Sequence, residues 1–509
     1  MRQAVLWCAV ASWLIAGCAI VDPDFDYERV AEHIEKATGQ TDVYRPGDEA
    51  VVGRHVERLL QDGLTVIEAV QICLLNNPSL QAGFLDVGMA RADVVQSGLF
   101  SNPSLSVALR LPAGGGLANI DGGIAQNIAD LWQIPVRRRA AGRWLDKTIL
   151  EIARAAADLA ADAKVAYYAT VSTRQLLEIS QENLGIAREL LDFAVARQKA
   201  GAGTVLDVNL SRSAVAEAEL ALESARLKAA DAARRLATLM GLTTDADALV
   251  LVDGLPETPS EGPDPDALIA LAWRWRLDLR SARQALSAAA ARLAEQNRLI
   301  VPSVEVGVAL ERDVRQRQGG RKLLAETARA SIAGGGLTAP EIQPRSERQR
   351  NKRKDFIIGP SIGLALPIFD QNQAQIAKAS YAHARAAKVL ESLERASSQE
   401  IRSAVDRART AWRIVRLYRD RFIPLAQSNL DLSRKSYRVG KTSFLAVLEA
   451  QRFFLDSRSR YTEASRSAAL MVPELERAVG LPIDQLIHVT GEEPAADVER
   501  GDPEAGEEP

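Results

Sequence analysis

Along most of the chain, apolar residues recur at alternating steps of three and four. Val215, Ala218, Leu222, Ala225, Ala229, Ala232, Leu236 and Leu239 keep that spacing without a break, and Phe454, Tyr461, Ala464, Ala468, Met471, Leu475 and Ala478 follow it later. Such stripes predict long helices packed side by side, and alanine at half of the seam lets them approach closely. Elsewhere the period drops to two. Leu105, Val107, Leu109 and Leu111 alternate with Ser106, Ala108 and Arg110, while Val304, Val306, Val308 and Leu310 alternate with Glu305, Gly307, Ala309 and Glu311. Ile358, Pro360, Ile362, Leu364, Leu366 and Ile368 do the same against Gly359, Ser361, Gly363 and Ala365, and Ile124 to Gln133 is a less regular fourth case. This is the period of strands with one apolar face.

The pattern occurs twice. Leu80 onward matches Leu279 onward at an offset of 199 residues, with Pro103 against Pro302 and Ser104 against Ser303. Gly201, Leu206, Val208, Gly241 and Leu242 match Gly440, Leu445, Val447, Gly480 and Leu481 at an offset of 239. The second half therefore carries an insertion, which falls in 313–355 between its two strands. The expected organisation is a leader at 1–17, an N-terminal segment at 18–63, a first repeat at 64–252, a linker at 253–266, a second repeat at 267–490 and an acidic tail at 491–509. In the first repeat helices are expected at 66–100, 138–199 and 205–240, with strands at 104–111 and 123–133. In the second, helices are expected at 267–300, 371–438 and 444–479, with strands at 304–312 and 356–368. A helix of 371–438 would run on the order of 100 Å.

The first residues read as a secretory signal: Arg2, then an apolar run from Ala4 to Ala16. Ile15-Ala16-Gly17-Cys18 resembles a bacterial lipobox, which makes Cys18 the expected acylated residue after cleavage. Cys8 leaves with the leader and Cys73 has no partner, so no disulfide within the chain is expected even in an oxidising compartment. Cys73, between Ile72 and Leu74, is expected to be a buried thiol. The composition is 47% hydrophobic and 5% aromatic with a formal charge of −3, which suits close-packed helices. No later apolar run reaches the length of a membrane-spanning helix, so any crossing must be made by strands in a closed barrel. Four strands are too few to close one. Either they cap a soluble domain, or several chains pool them.

Catalytic motifs are excluded on context. Gly359-Pro360-Ser361-Ile362-Gly363 matches a hydrolase elbow, but strand alternation continues where the elbow needs a helix. His33, His55, His383 and His488 have no second ligand at metal spacing, so neither a metal site nor a cofactor is expected. The segment from Arg312 to Asp355 holds 12 Lys or Arg against 5 Asp or Glu, but without interleaved aromatics it is not a nucleic-acid site.

Four stretches carry a family resemblance: Leu64–Val70 with Asn76-Asn77-Pro78, the Asn102-Pro103-Ser104 strand entry, the Gly201–Val208 turn, and Leu366-Pro367-Ile368-Phe369-Asp370-Gln371-Asn372-Gln373. With them the chain resembles a TolC-type outer-membrane efflux factor over nearly all of its mature length. The last stretch is most similar to the heavy-metal and cation branch served by resistance-nodulation-division pumps. The resemblance implies a mainly α protomer of two repeats with four transmembrane strands. It implies a homotrimer with a 12-stranded barrel in outer-membrane lipid, continued by an α-helical barrel in the periplasm. It further implies a passive exit duct that works with a periplasmic adaptor and an inner-membrane pump, with metal cations among its cargoes. Gly201, Gly203, Thr204, Leu206 and Asp207, and Gly440, Thr442, Ser443 and Leu445, would then form the periplasmic tips that dock the adaptor. Pro135, Pro367 and Asp370 would mark strand-to-helix junctions. Asp207 faces Ala446 in the repeat, so the pair supplies no six-fold carboxylate ring. The competing expectation is a lipid-anchored periplasmic coiled-coil scaffold whose strands enter no bilayer.

Overall fold

The structure is a computed structural model, and it describes residues 19–111, 118–243, 249–259, 262–313, 327–337 and 355–482. Cys18, the acidic tail and most of the 313–355 insertion lie outside these residues. In order, the elements are α1 Asp24–Thr38, α2 Glu49–Leu59, α3 Val66–Asn76, α4 Pro78–Ser97, β1 Ser104–Arg110, β2 Asn119–Asn127, α5 Asp130–Lys199 and α6 Val205–Leu239. The second repeat supplies α7 Pro265–Trp275, α8 Leu277–Arg298, β3 Val304–Asp313, β4 Asp355–Leu364, α9 Gln373–Leu417, a π-turn at Tyr418–Phe422, α10 Ile423–Arg438 and α11 Phe444–Val479. Two compact units result: one of Met1–Ala92, Arg143–Ser287 and Arg385–Pro509, the other of Asp93–Gly142 and Ala288–Ala384.

The first unit is helical. One of its cores is formed by apolar side chains of α7, α9 and α11, among them Leu268, Ile401, Val405, Trp412 and Leu475. Along α6 the stripe shifts from the strict heptad: Ala218, Leu222, Ala225 and Ala229 are buried, then Ala233, Leu236 and Ala237, with Ala232 only half-buried. A straight helix drifts against a seven-residue repeat, so one stripe spreads over neighbouring positions.

The helix expected at 66–100 is two helices. Thr65 and Glu68 form a capping box that starts α3, and Asn77 before Pro78 is forced to extended backbone, ψ 118°. The helix expected at 267–300 breaks at the matching place without a proline: Arg276 has ψ 116°. In the helix expected at 371–438, Ile423 N–H reaches back to the Tyr418 carbonyl. This wider turn comes just before Pro424, which has no N–H to continue an α-helical ladder.

The N-terminal segment contains two helices that periodicity alone did not mark. Tyr27 and Tyr44 pack on Phe84 with ring centroids 6.1 and 5.9 Å apart, and Arg29 pairs with Asp146 at 2.7 Å. Leu64 makes a parallel bridge with Leu251, and the buried Tyr167 hydroxyl donates to the Leu64 carbonyl at 2.7 Å.

The second unit carries one antiparallel sheet in the order β1-β2-β3-β4. Two strands differ from expectation by more than one residue. The second strand is Asn119–Asn127 rather than 123–133, because Asn127 Oδ1 accepts the N–H groups of Ala129 and Val304 and turns the chain into α5. The long helix accordingly starts at Asp130, eight residues before 138. Pro135 is therefore inside α5 rather than at a junction. The fourth strand stops at Leu364 rather than 368, since Leu364 pairs with Val304, the first residue of β3, and nothing extends further to pair with.

Candidate functional site

Two regions carry the residues singled out by sequence: the helix–turn–helix tips of the first unit and the sheet with its junctions in the second.

The tips share the same backbone turn but differ in their caps. Gly201 and Gly440 both have φ +75°, a left-handed conformation that suits glycine at the end of a helix. Gly201 N–H donates to Gln198 O and Ala202 N–H to Arg197 O; Gly440 N–H donates to Tyr437 O and Lys441 N–H to Ser436 O. Thr204 caps α6 by accepting from Asp207 N at 3.1 Å while Asp207 accepts from Thr204 N at 3.1 Å. In the second tip the cap is Ser443, which accepts from Ala446 N at 3.4 Å, and Thr442 is not the capping residue. Gly203 has a steric reason of its own: a Cβ there would lie 3.0 Å from the Gln198 nitrogen.

The two tips share a core that no local motif marks. Tyr437 stands against Phe193 and Phe444, with centroids 5.7 and 5.8 Å away, and the Arg197 guanidinium lies 4.6 Å from its ring. Arg197 also donates to the Ala202 carbonyl at 2.9 Å, so one cation ties the first turn to the second tip. Burial raises the pKa of the Tyr437 hydroxyl; Asp207 adds to the rise and Arg197 opposes it. Leu206 and Leu445 occupy equivalent positions on the outside, 65% and 51% exposed. The aromatic signal was present in the sequence, but spacing alone cannot join residues 193 and 437.

In the sheet, register sorts every side chain to a face. Leu105, Ile124, Val308 and Pro360 form one row, Val107, Gly122, Leu310 and Ile358 the next, and Leu109, Ile120, Arg312 and Phe356 a third. This face is apolar, with Gln126 at one end and Arg312 at the other. The opposite face carries Ser104, Ser106, Ala108, Asp121, Gly307, Glu305, Glu311 and Ser361. The apolar face is uncovered in the single chain: Leu105 is 73% exposed and Ile362 78%. Gly307 is required by close approach, because a Cβ would stand 2.3 Å from the Ile124 carbonyl oxygen. Ser361 sits within β4, with no helix following it as an elbow would need.

The junctions are held by buried polar groups. Asp130, expected on a strand, opens α5 and accepts Ser101 N at 2.7 Å and Ser101 Oγ at 2.6 Å, with Arg137 at 2.8 Å. Burial works against its charge, but the Ser101 hydrogen bonds and Arg137 leave the carboxyl below the usual aspartate range. Pro367 and Asp370 do fall between β4 and α9. Asp370 accepts from Asn372 N at 2.9 Å, and Asn372, at φ +61°, donates through Nδ2 to the backbone carbonyl of the buried Gln296 at 2.7 Å. Cys73 is wholly buried, and desolvation pushes its thiol up to about 12, which leaves it unreactive. Among the described residues, no three His, Cys, Asp or Glu come together as metal ligands.

Comparison with known proteins follows the same lines. The model of the outer membrane efflux protein family matches residues 69–242 and 268–481. The toluene efflux pump outer membrane protein TtgC of Pseudomonas putida is 24% identical over 89% of this chain and 90% of its own length. The pyoverdine export outer membrane protein OpmQ of Pseudomonas putida is 23% identical over 81% and 84%. Protein CyaE of Bordetella pertussis is 28% identical, but the chain spans only half of that relative's length, 50%, and 46% of this chain takes part. Among solved structures, the outer-membrane channel OprN superposes with a TM-score of 0.62 at 18% identity, covering 87% of this chain and 95% of that one. CusC gives a TM-score of 0.61 at 17% identity, covering 82% and 92%. The fold is thus that of TolC-type channel protomers, and the relatives are channels rather than enzymes. The chain belongs to the outer membrane efflux protein family.

Proposed function

We propose that three copies of this chain pool their sheets into a twelve-stranded outer-membrane barrel, the exit duct of a tripartite efflux system. One observation carries the reading: a four-stranded sheet with an exposed apolar face and, among the described residues, no strand paired to the outer edges of β1 and β4. Open edges are a liability that closure removes. Because the strands alternate in direction, β4 of one copy meets β1 of the next antiparallel. The apolar face then meets lipid and the face with Glu305, Glu311 and Asp121 lines the duct.

Two further stripes support the trimer. Leu220 and Leu227 on α6 are 74% and 61% exposed, and Leu425 and Leu432 on α10 are 57% and 64% exposed. Both sets follow heptad spacing, which favours burial against another helix. The scaffold alternative leaves both stripes and the sheet face in water.

Within this reading Cys18 carries the lipid anchor. The tips, with Leu206 and Leu445 outward, dock a periplasmic adaptor that links the duct to an inner-membrane resistance-nodulation-division pump. Metal cations are the proposed cargo, on the Pro367–Gln373 run and the carboxylates of the polar sheet face. Cysteines at Ser361 and, in turn, Ser104, Ser106 and Ala108 test the closure. Oxidation should give covalent dimers and trimers for at least one pair, and monomers throughout would refute it. A deletion strain should become sensitive to metal salts; sensitivity to organic toxicants alone would reassign the cargo while leaving the duct intact.

A further inference from the structure

In the first unit, α5 and α6 border an open groove of about 990 Å³, to which α11 adds Arg466. Its apolar lining is half-buried: Val165, Ala166 and Ala169 on α5, Ala232 and Leu239 on α6. Four cations and two carboxylates stand along it. The carboxylates are already engaged, Asp231 by Arg234 at 3.1 Å and Asp162 by Arg477 at 2.5 Å. The side chains of Lys228, Arg235 and Arg466 are exposed and have no ion pair or hydrogen bond among the described residues. The unmatched charge in the groove is therefore all of one sign, which draws anions to it.

The second repeat treats its equivalent groove differently. Ser467 and Met471 line that one in the places of Lys228 and Ala232, and Glu474 stands where Arg235 does. Each arginine along it has a carboxylate: Arg402 pairs with Asp266 at 2.8 Å, Arg407 with Glu474 at 3.2 Å and Arg460 with Asp456 at 2.8 Å. Helix packing of this kind thus does not require unmatched cations, and the first repeat has them for another reason.

Lys228 and Arg235 lie two turns apart on one face of α6, about 10 Å along its axis, with Ala232 between them. A ligand that meets both needs two acidic groups at that separation, and the apolar lining favours a hydrocarbon middle. We propose that this groove binds an elongated dianion with an apolar middle, its acidic groups held by Lys228 and Arg235 and its flank by Arg466. All three helices belong to one chain, so the site is complete without a partner copy. The proposal is independent of how many copies assemble and of what they export.

Decanedioate is the probe, added to the purified full-length protein in a non-ionic detergent. Equilibrium dialysis should show saturable binding of one molecule per chain that weakens as salt is raised. Two controls should bind about tenfold more weakly: butanedioate, too short to span the pair, and the diammonium of the same chain length as the probe. Lys228→Gln and Arg235→Gln should each weaken binding about threefold to fivefold, the worth of one exposed ion pair. Both positions are on the surface, so these variants keep the fold. Arg402→Gln, in the equivalent groove, should leave binding unchanged. No saturable binding of decanedioate, equal binding of either control, or binding untouched by Lys228→Gln and Arg235→Gln together would overturn the proposal.

Discussion

Asn77 and Arg276 do the same work in the two repeats. Asn77 Nδ2 donates to the Leu239 carbonyl at 2.8 Å, and Arg276 Nη1 donates to the Ala478 carbonyl at 2.9 Å. Both acceptors sit in the last turn of a helix, where carbonyls have no partner of their own. Asn77→Ala should lower stability by about 1–3 kcal/mol, the cost of an orphaned buried acceptor. Arg276→Met should cost more, about 3–5 kcal/mol, because it also strands Asp278, which is buried against the guanidinium at 2.9 Å. Denaturant midpoints of the two variants in detergent check the order.

Acidification should loosen the N-terminal segment through His33. Burial, helped by Arg280, Lys36 and Arg29 and opposed by Glu32, lowers its pKa to about 4. The unfolded imidazole titrates near 6.5, so between about 6.5 and 4 the unfolded chain binds the extra proton. Stability from this group is complete above that window and falls as the pH drops through it. Melting curves from pH 7.5 to 4.5 should show a decline that His33→Gln flattens.

Strand pairing depends on Gly307 and not on its neighbour on the same face. Gly307→Ala brings a methyl onto the Ile124 carbonyl, whereas a Cβ on Gly359 meets nothing within 4 Å. The first variant should lose heat-resistant assembled protein on gels. Gly359→Ala should behave as the unmutated chain.

Much of this was legible in the sequence, and the losses have physical causes. The repeat, the strands, both glycine turns and the position of Asp370 follow from local period and turn chemistry. The end of β2 does not, since Asn127 and Asp130 act through Val304 and Ser101, contacts made only once the chain has folded. Pro135 was expected at a strand-to-helix junction, yet it lies inside α5, because the helix starts at Asp130. The shared core of the tips joins Phe193 to Tyr437 across more than two hundred residues, and no spacing rule reaches that far. The break at Arg276 has no proline to announce it.

The exposed leucines of α6 and α10 should be interfacial. Leu227→Lys and Leu432→Lys each place an ammonium in a packed stripe, while in a free monomer each would be nearly neutral. Sedimentation in detergent should show loss of trimer with the helical content unchanged.

The central claim is tested most directly by imaging single particles of the full-length protein extracted in mild detergent. Hollow three-fold particles with twelve strands closed through β1 and β4 are the predicted result. Monomers that stay soluble once detergent is removed would contradict it.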